Sequence, residues 1–149
     1  MKYLRTYEQS NITRLELGDK GLTKLPELHE GLEFLLCHAN KLEELPELPK
    51  SLVVLFCSDN KLINLPNLPN GLEKLYCHNN NLNSLPELPN GLEKLYCYNN
   101  NLDRLPDLPK SLNFLSCDYN NLPYSNLNEY WEWYAETYPD RIEGEKYNL

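Results

Sequence analysis

The sequence predicts a mainly β, right-handed solenoid of the α/β class, with a parallel concave sheet, an extended convex return and a C-terminal capping helix. Three observations predict it. The segment Gly71–Asn90, GLEKLYCHNNNLNSLPELPN, recurs almost letter for letter as Gly91–Lys110, GLEKLYCYNNNLDRLPDLPK, which sets a period of 20 residues. Units on so short a fixed period bury their apolar faces only by stacking on their neighbours. Within each period apolar residues alternate over a few positions, which is strand periodicity. Two prolines then close most periods, and proline denies a helix on the return path.

Taken in order, residues 1–11 lie outside the repeat. Tyr3, Leu4 and Tyr7 there suggest a short strand or irregular cap over the first unit, since terminal repeats otherwise leave an apolar face wet. From Ile12 to Pro123 the frame reads LxxLxCxxNxLxxLPxLPxx, six units in all. With Ile12 as position 1, position 4 holds Leu15, Leu35, Leu55, Leu75, Leu95 and Leu115. Position 6 holds Leu17 and then Cys37, Cys57, Cys77, Cys97 and Cys117. Position 9 is Lys20, then Asn40, Asn60, Asn80, Asn100 and Asn120. A buried asparagine there can serve backbone groups stranded at an interior turn, because its amide both donates and accepts. The Leu-Pro pairs that follow, from Leu25-Pro26 to Leu105-Pro106, favour a thin polyproline-type return. That economy of chain suits a short repeat and implies strong curvature.

The five cysteines stand at one register position, so they form a column on adjacent strands roughly 4.8 Å apart. Their Cβ vectors point the same way, which suits packed, reduced thiols better than bridges.

These letters match the leucine-rich repeat, L-x-x-L-x-L-x-x-N/C-x-L. The LPxLP return and 20-residue length resemble the short repeats of bacterial type III secreted effectors, over residues 12–122. The Cys at position 6, followed by N-N-L or N-K-L, also resembles repeats in giant DNA virus and environmental bacterial proteins. Lys20 and His29 depart from the pattern in the first unit, as an edge repeat can. The resemblance implies the solenoid fold. Such effectors often carry a separate cysteine-dependent ubiquitin ligase domain, but the stretch after Leu122 holds no cysteine. Cys117-Asp118 is superficially similar to that ligase's Cys-x-Asp, yet its spacing differs and Cys117 is in core register.

After Pro123 the register stops, and residues 124–139 are expected to form the capping helix. Asn126 with Glu129 reads as an N-cap and its capping-box partner. Leu127, Tyr130, Trp131, Tyr134 and Tyr138 then share one helical face, expected to lie over the last repeat, up to Pro139. Trp133 falls off that stripe and is expected to stay partly exposed. Residues 140–149 form a charged tail, expected to be partly disordered.

Candidate functional residues follow from the strand alternation. Positions 3, 5 and 7 point opposite to the core and line the concave face. They include Phe34, Leu36, Val54, Phe56, Lys74, Tyr76, His78, Lys94, Tyr96, Tyr98 and Phe114. None is required by the repeat, and contiguous apolar surface marks interaction sites. The bland alternative is drift among duplicated repeats, with tyrosine tolerated as a strand former.

Composition narrows the function further. A formal net charge of −8 and pI near 4.9 argue against nucleic acid, and equally against an anionic membrane surface. No apolar run of signal-peptide or spanning length is present, so cytoplasmic residence, in the producing cell or a host cell, is expected. Cys37-His38 and Cys77-His78 look like ligand pairs, but adjacent strand residues face opposite ways. The two histidines lie two strands apart, about 9.6 Å, too far to share one zinc. No metal, cofactor or catalytic set is therefore expected. The reading is a non-enzymatic module that binds a protein partner through the concave face. The alternative is homo-association, as a homodimer, through that face or an exposed end.

Overall fold

The computed structural model describes residues 12–141. Six three-residue strands run in chain order: β1 Arg14–Glu16, β2 Phe34–Leu36, β3 Val54–Phe56, β4 Lys74–Tyr76, β5 Lys94–Tyr96 and β6 Phe114–Ser116. They form one parallel sheet in the order β1 to β6, and every pairing joins residues 20 apart, as Leu55 with Leu75 and Phe56 with Tyr76. Identical positions therefore stack in columns. The expected cap at 1–11 and the tail beyond residue 141 lie outside the described residues.

The inner layer is the leucine and cysteine frame. Leu32, Leu35, Cys37 and Leu42 are fully buried, and so are their counterparts in the next three repeats. On the return path Leu45, Leu65 and Leu85 are buried, while Leu25, Leu105 and the second leucines Leu28, Leu48, Leu68, Leu88 and Leu108 pack against this core half-exposed. The return itself is extended rather than helical. It turns back into the next strand through a short bond from Leu52 N–H to the Pro49 carbonyl (3.1 Å), repeated after Pro69, Pro89 and Pro109. After His29, where the second proline is missing, Gly31 instead adopts φ 95° and its N–H donates to Ser51 Oγ.

The asparagine column ties the repeats together. Asn80 Nδ2 donates to the carbonyls of Cys57 (3.1 Å), Cys77 (3.1 Å) and His78 (3.2 Å), and Asn80 Oδ1 accepts from Leu62 N–H (3.0 Å). Asn40, Asn60, Asn100 and Asn120 repeat this pattern. Each amide thus serves its own repeat and the one before it.

Immediately before position 9 of every repeat the backbone passes through the left-handed region. Asp19, Ala39, Asp59, Asn79, Asn99 and Tyr119 all have φ between 52° and 55°. The conformation sends the position-8 N–H to the next repeat's position-7 carbonyl, as from Asp59 to His78 at 3.0 Å. Aspartate and asparagine tolerate it; alanine and tyrosine do so only under strain.

At the C-terminal edge the chain folds back to take the place of a seventh strand. In the inner repeats each cysteine N–H donates to the following strand, as Cys97 does to the Ser116 carbonyl at 2.9 Å. Cys117 N–H donates instead to the Ser125 carbonyl at 2.9 Å, and Ser116 forms an antiparallel bridge with Asn126. Helix α1, Leu127–Thr137, starts there with Asn126 as its N-cap, whose Oδ1 accepts from Glu129 N–H. The Glu129 carboxylate reaches back to Ser125 N–H (2.8 Å) and to Asn126 Nδ2 (2.7 Å), a capping box shifted by one residue.

The helix face that packs is rotated from the expected one. Tyr130 is buried, and Leu127, Trp133 and Tyr134 pack half-buried against the core, whereas Trp131 and Tyr138 are exposed. Tyr124, in the fold-back before the helix, supplies the reason. Its buried ring packs edge-on to Tyr130 at 5.0 Å and against Trp133 at 5.0 Å, drawing the helix round toward Trp133. The helix also ends earlier than Pro139, at Thr137. Tyr138 is its C-cap, and helical backbone resumes over 139–141 with Pro139 in the first-turn position that proline favours.

Candidate functional site

The outer face of the sheet carries the residues expected there, and the parallel register arranges them in rows. The position-5 row forms a ladder of stacked rings. Phe56 lies on Tyr76 (centroids 4.3 Å, planes 17° apart), Tyr76 on Tyr96 (4.7 Å, 17°), and Tyr96 on Phe114 from the neighbouring row (4.6 Å, 26°). The geometry follows from strand spacing: identical rotamers on parallel strands bring flat rings to stacking distance. Phe34, Leu36 and Val54 continue the apolar surface on β2 and β3, half-buried. Phe114, at the β6 edge, is the most exposed ring of the ladder.

A second row runs along position 7. His38 meets the Phe56 ring edge-on at 5.2 Å, and it leans over Gly18, where an added Cβ would fall 2.5 Å from His38 Cε1. His78 stacks on Tyr98 at 4.4 Å with planes 15° apart. Burial against these rings lowers the His78 pKa, while Asp59, with Oδ2 4.0 Å from Nε2, raises it. Between the histidines, Ser58 is buried, and among the described residues neither its hydroxyl nor Nδ1 of His38 or His78 has a hydrogen-bond partner. Ser58, His78 and Asp59 are thus neighbours without being linked into a proton relay. Ser58 gave no sequence signal, because its burial comes from the larger side chains on either side.

Outside this row Asn79 Nδ2 donates to Asp59 Oδ1 (2.8 Å) and Asn99 Nδ2 to Asn79 Oδ1 (2.9 Å), an exposed carboxamide rim. On the opposite side Lys74 and Lys94 stand in register on β4 and β5, half-buried. No group of three or more histidine, cysteine, aspartate or glutamate side chains among the described residues is placed to hold a metal ion. The cysteines point inward, all free and buried. Burial pushes the Cys37 and Cys117 thiols up to about 12 and raises Cys57, Cys77 and Cys97 as well. No helix among the described residues is long and apolar enough to cross a membrane.

A parallel sheet on a 20-residue period, a leucine core, an asparagine column and an extended proline return define a leucine-rich-repeat protein of the short type. The chain belongs to that class. Solved structures similar to it are bacterial effectors. YopM from Yersinia enterocolitica WA-314 superposes with a TM-score of 0.74 at 38% identity, over 75% of this chain and 25% of that one. YopM of Yersinia pestis, described as a leucine-rich effector protein, gives 0.71 at 47% identity over 74% and 32%. The leucine-rich-repeat domain of a Shigella effector gives 0.75 at 37% over 76% and 52%. The chain therefore spans between a quarter and about half of the length of these structures. No protein-family model and no curated protein matches it.

Proposed function

We propose that the chain is a recognition scaffold that engages a protein partner through the outer, concave face of its sheet. The observation that carries this reading is the ring ladder from Phe56 to Phe114, half-exposed and continuous with Phe34, Leu36 and Val54. Rings locked by stacking have already lost their rotamer freedom, so a partner meets an ordered surface at low entropic cost. Two of the solved neighbours are described as a leucine-rich effector protein and an effector leucine-rich-repeat domain, which supports a recognition role for the repeats. Inward thiols with raised pKa, and a serine unlinked to its neighbouring histidine, point the same way.

The test is a benzophenone side chain placed at Tyr98 and, separately, at Glu87 on the return path. Crosslinks to another protein from position 98 and not from 87, lost in the Phe56→Ser/Tyr76→Ser variant, are the expected result. Crosslinking from 87 alone would move the interface off the sheet. A product of twice the chain's mass, matched by a dimer in light scattering, would establish self-association instead. Because Phe56 and Tyr76 stack, their truncation costs about 2 kcal/mol, so circular dichroism must show the variant folded.

A further inference from the structure

We infer that the partner segment received by the concave face is acidic, with its carboxylates seated between Lys74 and Lys94 over the ring ladder; this rests on the recognition role proposed above. Two independent observations lead there. The first is charge. Lys74 and Lys94 are in-register neighbours on adjacent strands, a placement in which like charges repel. Among the described residues neither pairs with a carboxylate, although the chain carries a net charge of −8. Of the carboxylates on the same face, Glu16 holds Arg14 at 2.7 Å, Asp118 stands at position 7 beyond β6 and off the lysine row, and Asp59 lies on the far rim, bonded to Asn79 and facing His78. Val54 and Phe114 flank the lysines along their own row and offer no counter-charge.

The second observation is ring orientation. An aromatic ring is electron-rich on its faces and electron-poor at its edge. In the ladder Tyr76 is stacked between Phe56 and Tyr96, and Tyr96 between Tyr76 and Phe114, at 4.3–4.7 Å. What a visitor meets is the row of positive edges, with phenol hydroxyls able to donate. Cation–π capture of lysine or arginine needs a free ring face; the stack withholds it at Tyr76 and Tyr96, on the strands that carry the lysines, and leaves it only toward the ends, where Arg14 already lies over Phe34 at 5.8 Å and Phe114 is exposed. Ring edges and two ammonium groups together make a hydrogen-bond-donating, electropositive strip in an acidic protein. Its complement is an extended segment of alternating apolar and carboxylate side chains.

The experiment uses the full chain and three fluorescein-labelled twelve-residue peptides. They share the same leucines and tyrosines and differ in carrying glutamate, glutamine or lysine at alternate positions. The glutamate peptide is expected to bind at least about tenfold more tightly than the glutamine one at 50 mM salt, and the difference to shrink at 500 mM. The lysine peptide should be weakest. Lys74→Gln/Lys94→Gln should erase the preference for glutamate, and Lys74→Arg/Lys94→Arg should keep it. Equal binding of the glutamate and glutamine peptides, preference for lysine, or no binding of the glutamate peptide would each overturn the acidic partner. If the glutamine peptide binds equally well but Phe56→Ser/Tyr76→Ser abolishes its binding, the concave-face reading stands while its acidic partner falls. If instead that variant leaves binding of the glutamate peptide intact, the concave-face reading falls with it.

Discussion

Replacing Asn80 by alanine removes one amide from the middle of the column, and the structure says which groups are then stranded. The Cys57 carbonyl keeps a donor in Asn60, and the Cys77 carbonyl keeps one in Asn100. The His78 carbonyl keeps Asp59 N–H. Leu62 N–H has no such reserve, because its acceptor is Asn80 Oδ1 and Leu62 is fully buried. An orphaned buried donor costs about 1–3 kcal/mol, and each lost hydrogen bond a further ~1 kcal/mol or less. About 3 kcal/mol is therefore expected for Asn80→Ala. In urea, with a slope near ~2 kcal/mol per molar, that lowers the midpoint by about 1.5 M. Asn80→Asp sharpens the test. The carboxylate retains the acceptor for Leu62 but turns a negative oxygen toward three carbonyls now 3.1–3.2 Å from the amide nitrogen. It should cost at least as much as alanine. If Asn80→Asp were the milder change, the donated bonds would not be what holds neighbouring repeats together.

Ala39 is held at φ 52°, so Ala39→Gly should stabilise by about 1 kcal/mol and raise Tm by about 3 °C; a fall in Tm in a calorimetric scan would contradict the strain. Tyr119→Asn, at φ 53° and 82% exposed, should act likewise. At pH 8 a thiol reagent should label none of the five cysteines in the native protein and all five in urea, because the thiols are buried and protonated, with Cys117 pushed up to about 12. Rapid native labelling at Cys117 would reopen a nucleophilic role. Asn126→Ala removes the helix cap, which costs about 1 kcal/mol, and it should red-shift tryptophan emission as Trp133 loosens; unchanged emission and stability would mean that the fold-back alone holds α1.

The repeat letters made the scaffold legible because each sits in the same environment five or six times over. Leucine at position 4, cysteine at 6 and asparagine at 9 are set by burial, which periodicity reports directly. The rows on the outer face were legible for the same reason, since strand alternation assigns them. What escaped the sequence is what breaks the period. Tyr124 belongs to no helix or strand pattern, yet its buried ring decides that Trp133 rather than Trp131 turns inward. The left-handed position 8 is signalled by Asp59, Asn79 and Asn99 but hidden by Ala39 and Tyr119, which the backbone accepts under strain. Ring stacking likewise follows from rotamers that strand alternation does not specify.

The asparagine column has one more consequence, for how such a chain can change length. Each amide reaches one repeat backwards, so a segment cut anywhere and rejoined 20 residues on restores every partner with an equivalent one. A gain or loss of one residue more or fewer would put every downstream leucine, cysteine and asparagine on the wrong side of the wall. Length therefore comes in quanta of a whole turn, and the twin segments Gly71–Asn90 and Gly91–Lys110 have the form that copying one quantum leaves behind. Each copy would also lengthen the ladder by a ring and the lysine row by a charge. Under the proposed recognition role, the span of partner the face can hold is thus set in the same 20-residue steps as the scaffold.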